Sequence, residues 1–497
     1  MKARPRTTTA LAALAAAGLL LSGCTTPTTT TTTSGEATSP KPPVVAPGGE
    51  AGAVPELASE DGTLDVTLTA AEAQVPYDGT TRWAMAYNGQ ATGPTLRVHP
   101  GDRLTITLVN DLAEPTSLHT HGLHVSPEQD DPFAMVDPGR SATLTYDIPA
   151  DQQAGTYWYH PHVHELTAEQ VASGLSGAII VEDATDTALA AVSTDRVLVV
   201  TDPPLVQENP WNGSGGGQAG SGMMGGDSGG MMGGSRSSGI DMMTAMVGRT
   251  GPRLLTNGRN GVALDGSGGR LERAHVVNAT ASTTLTLTYT GASLLALSSP
   301  GGRLPAPRDV TSIDLAPGDR SEIVMTPGAG GGQLLAQRHS NEGDAGPVGL
   351  PEVIAAVAPD AGGDPSILPT TMAADTRDLF APDVTVARQR VVTLDGHMNP
   401  TIDGQPFDPG VVNLTAAKGT VEEWVLLSSS PMAHPIHLHS WPFQVKGQSG
   451  WNDVVNVPAY GEQVIRIAFD DFAGTTVVHC HILDHEDTGM MAVIKVA

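Results

Sequence analysis

The stretch His479-Cys480-His481-Ile482-Leu483-Asp484-His485-Glu486-Asp487-Thr488-Gly489-Met490-Met491 constrains this chain more than any other. It gathers three imidazoles, one thiol and two thioethers, the soft donors that select copper over harder divalent ions. Val477 and Val478 before it, and Ala492 to Val496 after it, read as β-strand. Successive side chains of a strand point to opposite faces. Cys480 is therefore expected on one face, with His479 and His481 on the other, so one strand can serve two metal sites. Cys480, His485 and Met490 supply the thiolate, one imidazole and the weak axial thioether of a blue electron-transfer copper site; a second imidazole has to come from elsewhere.

Three further clusters repeat the theme. Leu118-His119-Thr120-His121-Gly122 and Trp158-Tyr159-His160-Pro161-His162-Val163-His164 each place His at i and i+2, on one face of an extended strand. In Ala433-His434-Pro435-Ile436-His437-Leu438-His439 the last two imidazoles share a face. His434 lies at odd separation beside a proline expected to bend the chain, which sends it towards the thiolate site. The four pairs 119/121, 160/162, 437/439 and 479/481 give eight imidazoles, enough for a cluster of three copper ions. His434, Cys480, His485 and Met490 remain for one mononuclear site. Structural zinc uses about four ligands and catalytic zinc about three plus water, so zinc leaves most of these residues without a role.

At 497 residues the chain exceeds one ordinary core, and several domains are expected. Only 16% of residues are charged and 58 are glycine, a balance that favours strands and turns over helices. The net charge of −27 argues against nucleic acid and against a polybasic membrane surface, and suits a cationic substrate. Both cysteines, Cys24 and Cys480, have separate roles, so no disulfide is expected.

Lys2, Arg4 and Arg6 precede an apolar run from Ala10 to Leu21, the pattern of a secretion signal and too short to span a bilayer. The run ends in Leu21-Ser22-Gly23-Cys24, which resembles the bacterial lipoprotein box. Residues 1–23 are thus expected to be cleaved, Cys24 lipidated, and residues 24–56, rich in Thr and Pro, a disordered tether on the outer face of the cytoplasmic membrane. The lipid is the only membrane attachment expected. Residues 57–184 then alternate as short strands, such as Leu64 to Leu68 and Leu104 to Val109 with Pro100-Gly101-Asp102 as the turn between. Residues 195–359 form a second β-unit with strands at Arg196 to Val200, Ala274 to Val277, Thr283 to Tyr289 and Glu322 to Met325. Poor in His, it reads as a spacer holding its neighbours apart. Inside it, residues 213–247 are rich in Gly and Ser and carry Met223, Met224, Met231, Met232, Met242, Met243 and Met246. Core-filling Met sits among aliphatics, so this segment reads as a mobile loop whose thioethers bind Cu(I). A connector over 360–384 leads to a last β-unit over 385–497.

These clusters, in this order, resemble the multicopper oxidases, and among them the three-domain bacterial type that includes periplasmic cuprous oxidases, laccase-like enzymes and lipoproteins with a Met-rich loop. The resemblance covers residues 57–497. It implies an all-β fold of three cupredoxin-like Greek-key β-sandwich domains and four copper ions. His434, Cys480, His485 and Met490 match the type 1 ligands, and His119 and His437 the type 2 ligands. His121, His160, His162, His439, His479 and His481 match the type 3 pair. Asp130 and Glu486 match acids that supply protons for oxygen reduction. Met432 matches a substrate-site methionine of a cuprous oxidase, whereas the acid of that site is Ser430 here. Thr120 and Pro161 replace a Trp and a Ser of relatives without removing a ligand, and His124 and His164 are bystanders.

The resemblance further implies one-electron oxidation of a substrate, transfer through Cys480 and its neighbours, and reduction of dioxygen to water. Cuprous ion is the expected substrate and copper tolerance the expected role. Laccase-like oxidation of small phenols or aromatic amines is the alternative, and a copper-sequestering surface lipoprotein the alternative of another class. A monomer is expected.

Overall fold

The computed structural model describes residues 54–211, 242–265, 271–343, 346–359, 367–396 and 400–497. Alternation of apolar and polar residues builds its sheets. In Thr63–Tyr77, Leu64, Val66, Leu68 and Ala70 are buried while Asp65 and Thr67 face water. Such a strand must lay its apolar face on a second sheet.

Among the described residues six sheets result, packed as three double layers. The first pairs a five-stranded sheet, which includes Thr95–Val98, Gly177–Val181, Gly155–His160 and His119–His121, with a four-stranded one built on Thr63–Tyr77 and Arg103–Asp111. Leu68, Leu96, Ile106, Tyr157 and Ile179 of both sheets meet in one core. Thr63–Tyr77 and Arg103–Asp111 pair in parallel. The turn at Pro100-Gly101-Asp102 therefore does not join them as a hairpin; it carries the chain from Thr95–Val98 in one layer to Arg103–Asp111 in the other.

The middle double layer runs from Arg196–Thr201 to Pro347–Val357, around Leu198, Ile323, Leu285 and Leu334. The four strands expected there are present as Arg196–Thr201, Glu272–Asn278, Thr284–Tyr289 and Arg320–Thr326. The helix Ala184–Val192 leads into it, capped by Asp183 with Asp186 answering in a reciprocal capping box. Asp186 also pairs with Arg273 at 2.6 Å and Arg303 at 3.0 Å, and Glu322 binds the same two guanidinium groups. Buried charges persist only when paired this fully, so this network welds the linking helix to the middle sandwich.

The last double layer holds the strand Gly474–Cys480 between Met491–Val496 and His434–Leu438. His434–Leu438 continues straight through Pro435, which pairs with Asn456. The expected bend is absent, and strand alternation alone separates His434 from His437.

One end of the Met-bearing segment departs from the expected loop. Met242–Val247 is a short helix, closed by Gly248 at φ 81°, whose N–H bonds Thr244 O. Glycine supplies that left-handed conformation without strain.

Candidate metal centres

Register decides which side of the last sheet each ligand faces. Ile436 pairs with Cys480 and His437 with His479, and directly paired residues share a face. Cys480, Ile436 and, by alternation, His434 face the core; His437 and His479 face the other way. After Cys480 the chain turns through the helix Leu483–Asp487, which brings His485 back over the thiol. Met490 N–H donates to His485 O at 2.8 Å and Met490 O accepts from Cys480 N–H at 3.0 Å, so the loop closes on itself.

Cys480 Sγ lies 3.7 Å from His434 Nδ1 and 3.7 Å from His485 Nδ1. All three are buried, as is Met490 in the same core. Burial pushes the Cys480 thiol well up and the His434 ring down to about 3, with the nearby His485 adding to the second shift. Cys480 and His434 are thus neutral until a cation displaces the thiol proton. The outer edge of His485 is covered: its Nε2 donates to Met246 O at 3.0 Å. Arg249 holds that helix end down by binding Asp484 through its backbone N–H at 2.7 Å and its guanidinium at 2.8 and 2.9 Å.

The other eight imidazoles converge between the first and last sandwiches. In the first sandwich His119 pairs with His160 and His121 with Trp158. His119 Nε2 lies 3.2 Å from His437 Nε2. His162 and His439 Nε2 lie 3.4 and 3.2 Å from His479 Nε2, and the three form one compact group. His121 Nδ1 lies 3.4 Å from His160 Nε2, and the His481 ring is centred 5.0 and 5.6 Å from these two rings.

The second nitrogens explain what this arrangement wants. His119 Nδ1 bonds Asp130 Oδ2 at 2.7 Å, His437 Nδ1 bonds Asp453 O at 2.7 Å, and His160 Nδ1 bonds Pro161 O at 2.8 Å. An acceptor fixes the proton on Nδ1 and leaves a lone pair on Nε2. His119 and His437 therefore face each other lone pair to lone pair. Burial holds the rings of His119, His121, His160, His162, His437, His439 and His481 below their usual range and neutral. Both nitrogens of His481 are buried without a partner. Neutral buried lone pairs aimed at one another fit a bound cation, and the all-imidazole donor set fits copper.

Two carboxylates border the cluster. Asp130 also accepts from Thr120 N–H at 3.0 Å, and burial pushes it up to about 7. Glu486 lies 3.0 Å from His479 Nδ1 and 3.5 Å from His162 Nε2. Burial alone would raise it, but the His162 and His479 rings outweigh burial and hold it low.

Other expectations fare differently. Met432 is buried at 1% exposure in the core of the last sandwich, under a strap in which Glu342 bridges to it and Asn341 O accepts from Ala433 N–H. It is not an exposed substrate ligand. Met246 is half-buried; Met242 and Met243 lie on the helix backbone. Met223, Met224, Met231, Met232 and the proposed lipidation residue Cys24 lie outside the described residues. His124 joins Ser440 O at 2.6 Å and Asp471 at 2.7 Å, and His164 packs on Phe407; neither belongs to a ligand group among the described residues.

The middle sandwich is more than a spacer. Gly318, at φ 87°, lies so near His481 that a Cβ there would sit 2.9 Å from its ring and 3.1 Å from His121. Next to it, Arg320 binds Asp453 with two contacts of 2.6 Å. Nothing in the periodicity of either segment marks Arg320 or Asp453. A charged residue opening a strand is ordinarily read as solvated, and only the tertiary packing buries both.

Known proteins resemble this chain over most of its length. Residues 69–186 and 382–497 match two family profiles described as multicopper oxidase. The multicopper oxidase mco of Staphylococcus aureus is 28% identical over 438 residues, spanning 84% of this chain and 85% of its own. The multicopper oxidase MmcO of Mycobacterium tuberculosis is 26% identical over 468 residues, 86% of each chain. The solved structure of a Campylobacter jejuni multicopper oxidase, described as a metallo-oxidase, aligns at a TM-score of 0.71 and 25% identity, covering 90% of this chain and 94% of that one. The chain belongs to the multicopper oxidases. It is accordingly a copper-dependent oxidoreductase of cupredoxin-like architecture that couples oxidation of a reducing substrate to reduction of dioxygen.

Proposed function

We propose that this enzyme oxidises cuprous ion. His434, Cys480, His485 and Met490 hold the type 1 copper, and His119 and His437 the type 2 copper. The type 3 pair divides into His121, His160 and His481 on one side and His162, His439 and His479 on the other. Copper bound there would supply the redox chemistry: one-electron oxidation of the substrate, four times over, and reduction of dioxygen with four protons to two waters. Cys480 belongs to both regions: its Sγ faces one ligand group while its peptide neighbours, His479 and His481, face the other. Asp130, pushed up by burial, can hold and release a proton beside the oxygen site, and Glu486, held low by its His neighbours, can accept one in passing.

The observation that carries the substrate reading is the helix Met242–Val247 lying over His485, whose Nε2 it occupies through Met246 O. With that edge taken by a backbone carbonyl, a flat aromatic ring finds no hydrogen bond there, whereas a metal ion handed along thioethers needs none. The net charge of −27 and the likeness to a metallo-oxidase support the same reading. Export and anchoring through Cys24 would place the enzyme where copper enters the cell. Cys24→Ala should release it into the medium, and retention at the membrane would refute the anchor.

Oxygen uptake by copper-loaded protein lacking residues 1–23, with Cu(I) or a methoxyphenol as reductant, tests the substrate. Cu(I) should be consumed faster, and deleting residues 213–247 should slow Cu(I) while speeding the phenol. A phenol oxidised faster by the intact chain, with no effect of the deletion, would make it a laccase. Copper tolerance lost on deletion with turnover unchanged would point to sequestration.

A further inference from the structure

The middle sandwich touches the oxygen site through one buried ion pair. Arg320 is fully buried and makes contacts in all three double layers: its Nε donates to Thr156 O of the first at 3.1 Å, its Nη atoms to Gly318 O and Pro300 O of the middle, and both Nη atoms to the Asp453 carboxylate of the last at 2.6 Å. Asp453 in turn touches two ligands assigned to different copper types. Its backbone O accepts from His437 Nδ1–H at 2.7 Å, which turns Nε2 of that ring inward. Its Oδ1 lies 3.4 Å from His121 Nε2, which turns Nδ1 of that ring inward, towards His160. His121 and His437 stack at 3.7 Å between centroids, so their opposite orientations are set side by side by one residue. Gly122 shows how closely the pair is fitted, since any Cβ at that position would collide with both Arg320 and Asp453.

We propose that Arg320 and Asp453 are positioning residues for the trinuclear centre: the pair selects which nitrogen His121 and His437 present, and ties that choice to docking of the middle sandwich. Neither residue ligates metal. Arg320 satisfies the carboxylate from the far side, so that Asp453 is held with its backbone O bonded to His437 Nδ1–H and its Oδ1 3.4 Å from His121 Nε2. Outer partners of metal-binding His fix tautomer and ring direction in this manner. A lysine keeps the charge but cannot match a carboxylate with two parallel bonds.

The inference rests on the assignment of the eight imidazoles to a trinuclear centre. Arg320→Lys, Arg320→Met and Asp453→Asn, each purified after copper loading, provide the test, read by copper per chain, by the blue absorption of the thiolate site and by the magnetic resonance signal of the type 2 ion. The blue band should persist in all three variants. Copper retained at the trinuclear centre and oxygen consumption should fall, on the order of tenfold to a hundredfold in Asp453→Asn and Arg320→Met, with Arg320→Lys recovering part of the loss. Wild-type copper content and turnover in the variants would overturn the proposal. So would loss of the blue band in step with the rest, including failure of all three variants to fold, since that marks a merely structural pair. A wild-type protein without the type 2 signal would instead refute the assignment on which the proposal rests.

Discussion

Single residues at this site are fixed by what lies within one side-chain length of them. Gly122 adopts φ 88° against Arg320 and Asp453, so Gly122→Ala combines left-handed strain with overpacking and should cost about 2–5 kcal/mol of unfolding free energy. Chemical denaturation measures it, and a loss below about 1 kcal/mol would mean the pocket yields. Asp130→Asn keeps an acceptor for His119 but removes the titrating acid, and turnover should fall roughly a hundredfold, by more than copper content does. Asp202 provides a pH-dependent check away from the ligands. Burial pushes its carboxyl up to about 6, with Arg338, Gly251 N–H and Thr283 only partly offsetting it. The folded chain therefore keeps a proton that the unfolded chain sheds near pH 4, and stability should fall as pH rises from about 4 to about 6, by roughly 3 kcal/mol in all. Asp202→Asn should flatten that slope, which thermal melts across the range would show. Sequence patterning carried the ligands this far because a strand's two-residue period needs no tertiary information. Arg320 and Asp453 were illegible because their burial depends on residues more than a hundred positions away.

At the scale of elements, the last sheet and the helix over His485 divide the work. Pairing of Ile436 with Cys480 and of His437 with His479 puts thiol and imidazoles on opposite faces, and the odd spacing of His434 already announced this. The supposed bend at Pro435 was unnecessary, since alternation does the same job. The helix Met242–Val247 was read as loop because its neighbours are glycines; Asn341, whose amide reaches Val247 O, and Arg249 impose it from outside. Its hold should be breakable. Arg249→Ala removes the guanidinium from buried Asp484, leaving that carboxylate with fewer partners. Phenol oxidation should then rise as His485 is uncovered, while the blue absorption stays. Steady-state assays decide this, and an unchanged phenol rate would mean that the helix does not limit access.

Across the whole molecule, three β-sandwiches hold one site that none contains alone. The first supplies His119, His121, His160 and His162, the last supplies His437, His439, His479 and His481, and the middle one braces both through Arg320 and Gly318. Strand-rich composition made the all-β class legible, whereas the role of the middle sandwich could not be read from its scarcity of His. Because copper joins separate units and binds only the folded chain, chelation should lower the melting temperature; free copper a thousandfold above its dissociation constant corresponds to ~4 kcal/mol per site. The most direct test of the account is the copper content and colour of Cys480→Ser beside the intact protein. The intact chain should hold four copper ions and be blue, and the variant should remain folded, hold the three of the trinuclear centre, and lose both colour and turnover. A variant that stays blue and active, or that loses all its copper together, would contradict the division into two centres on which everything else here depends.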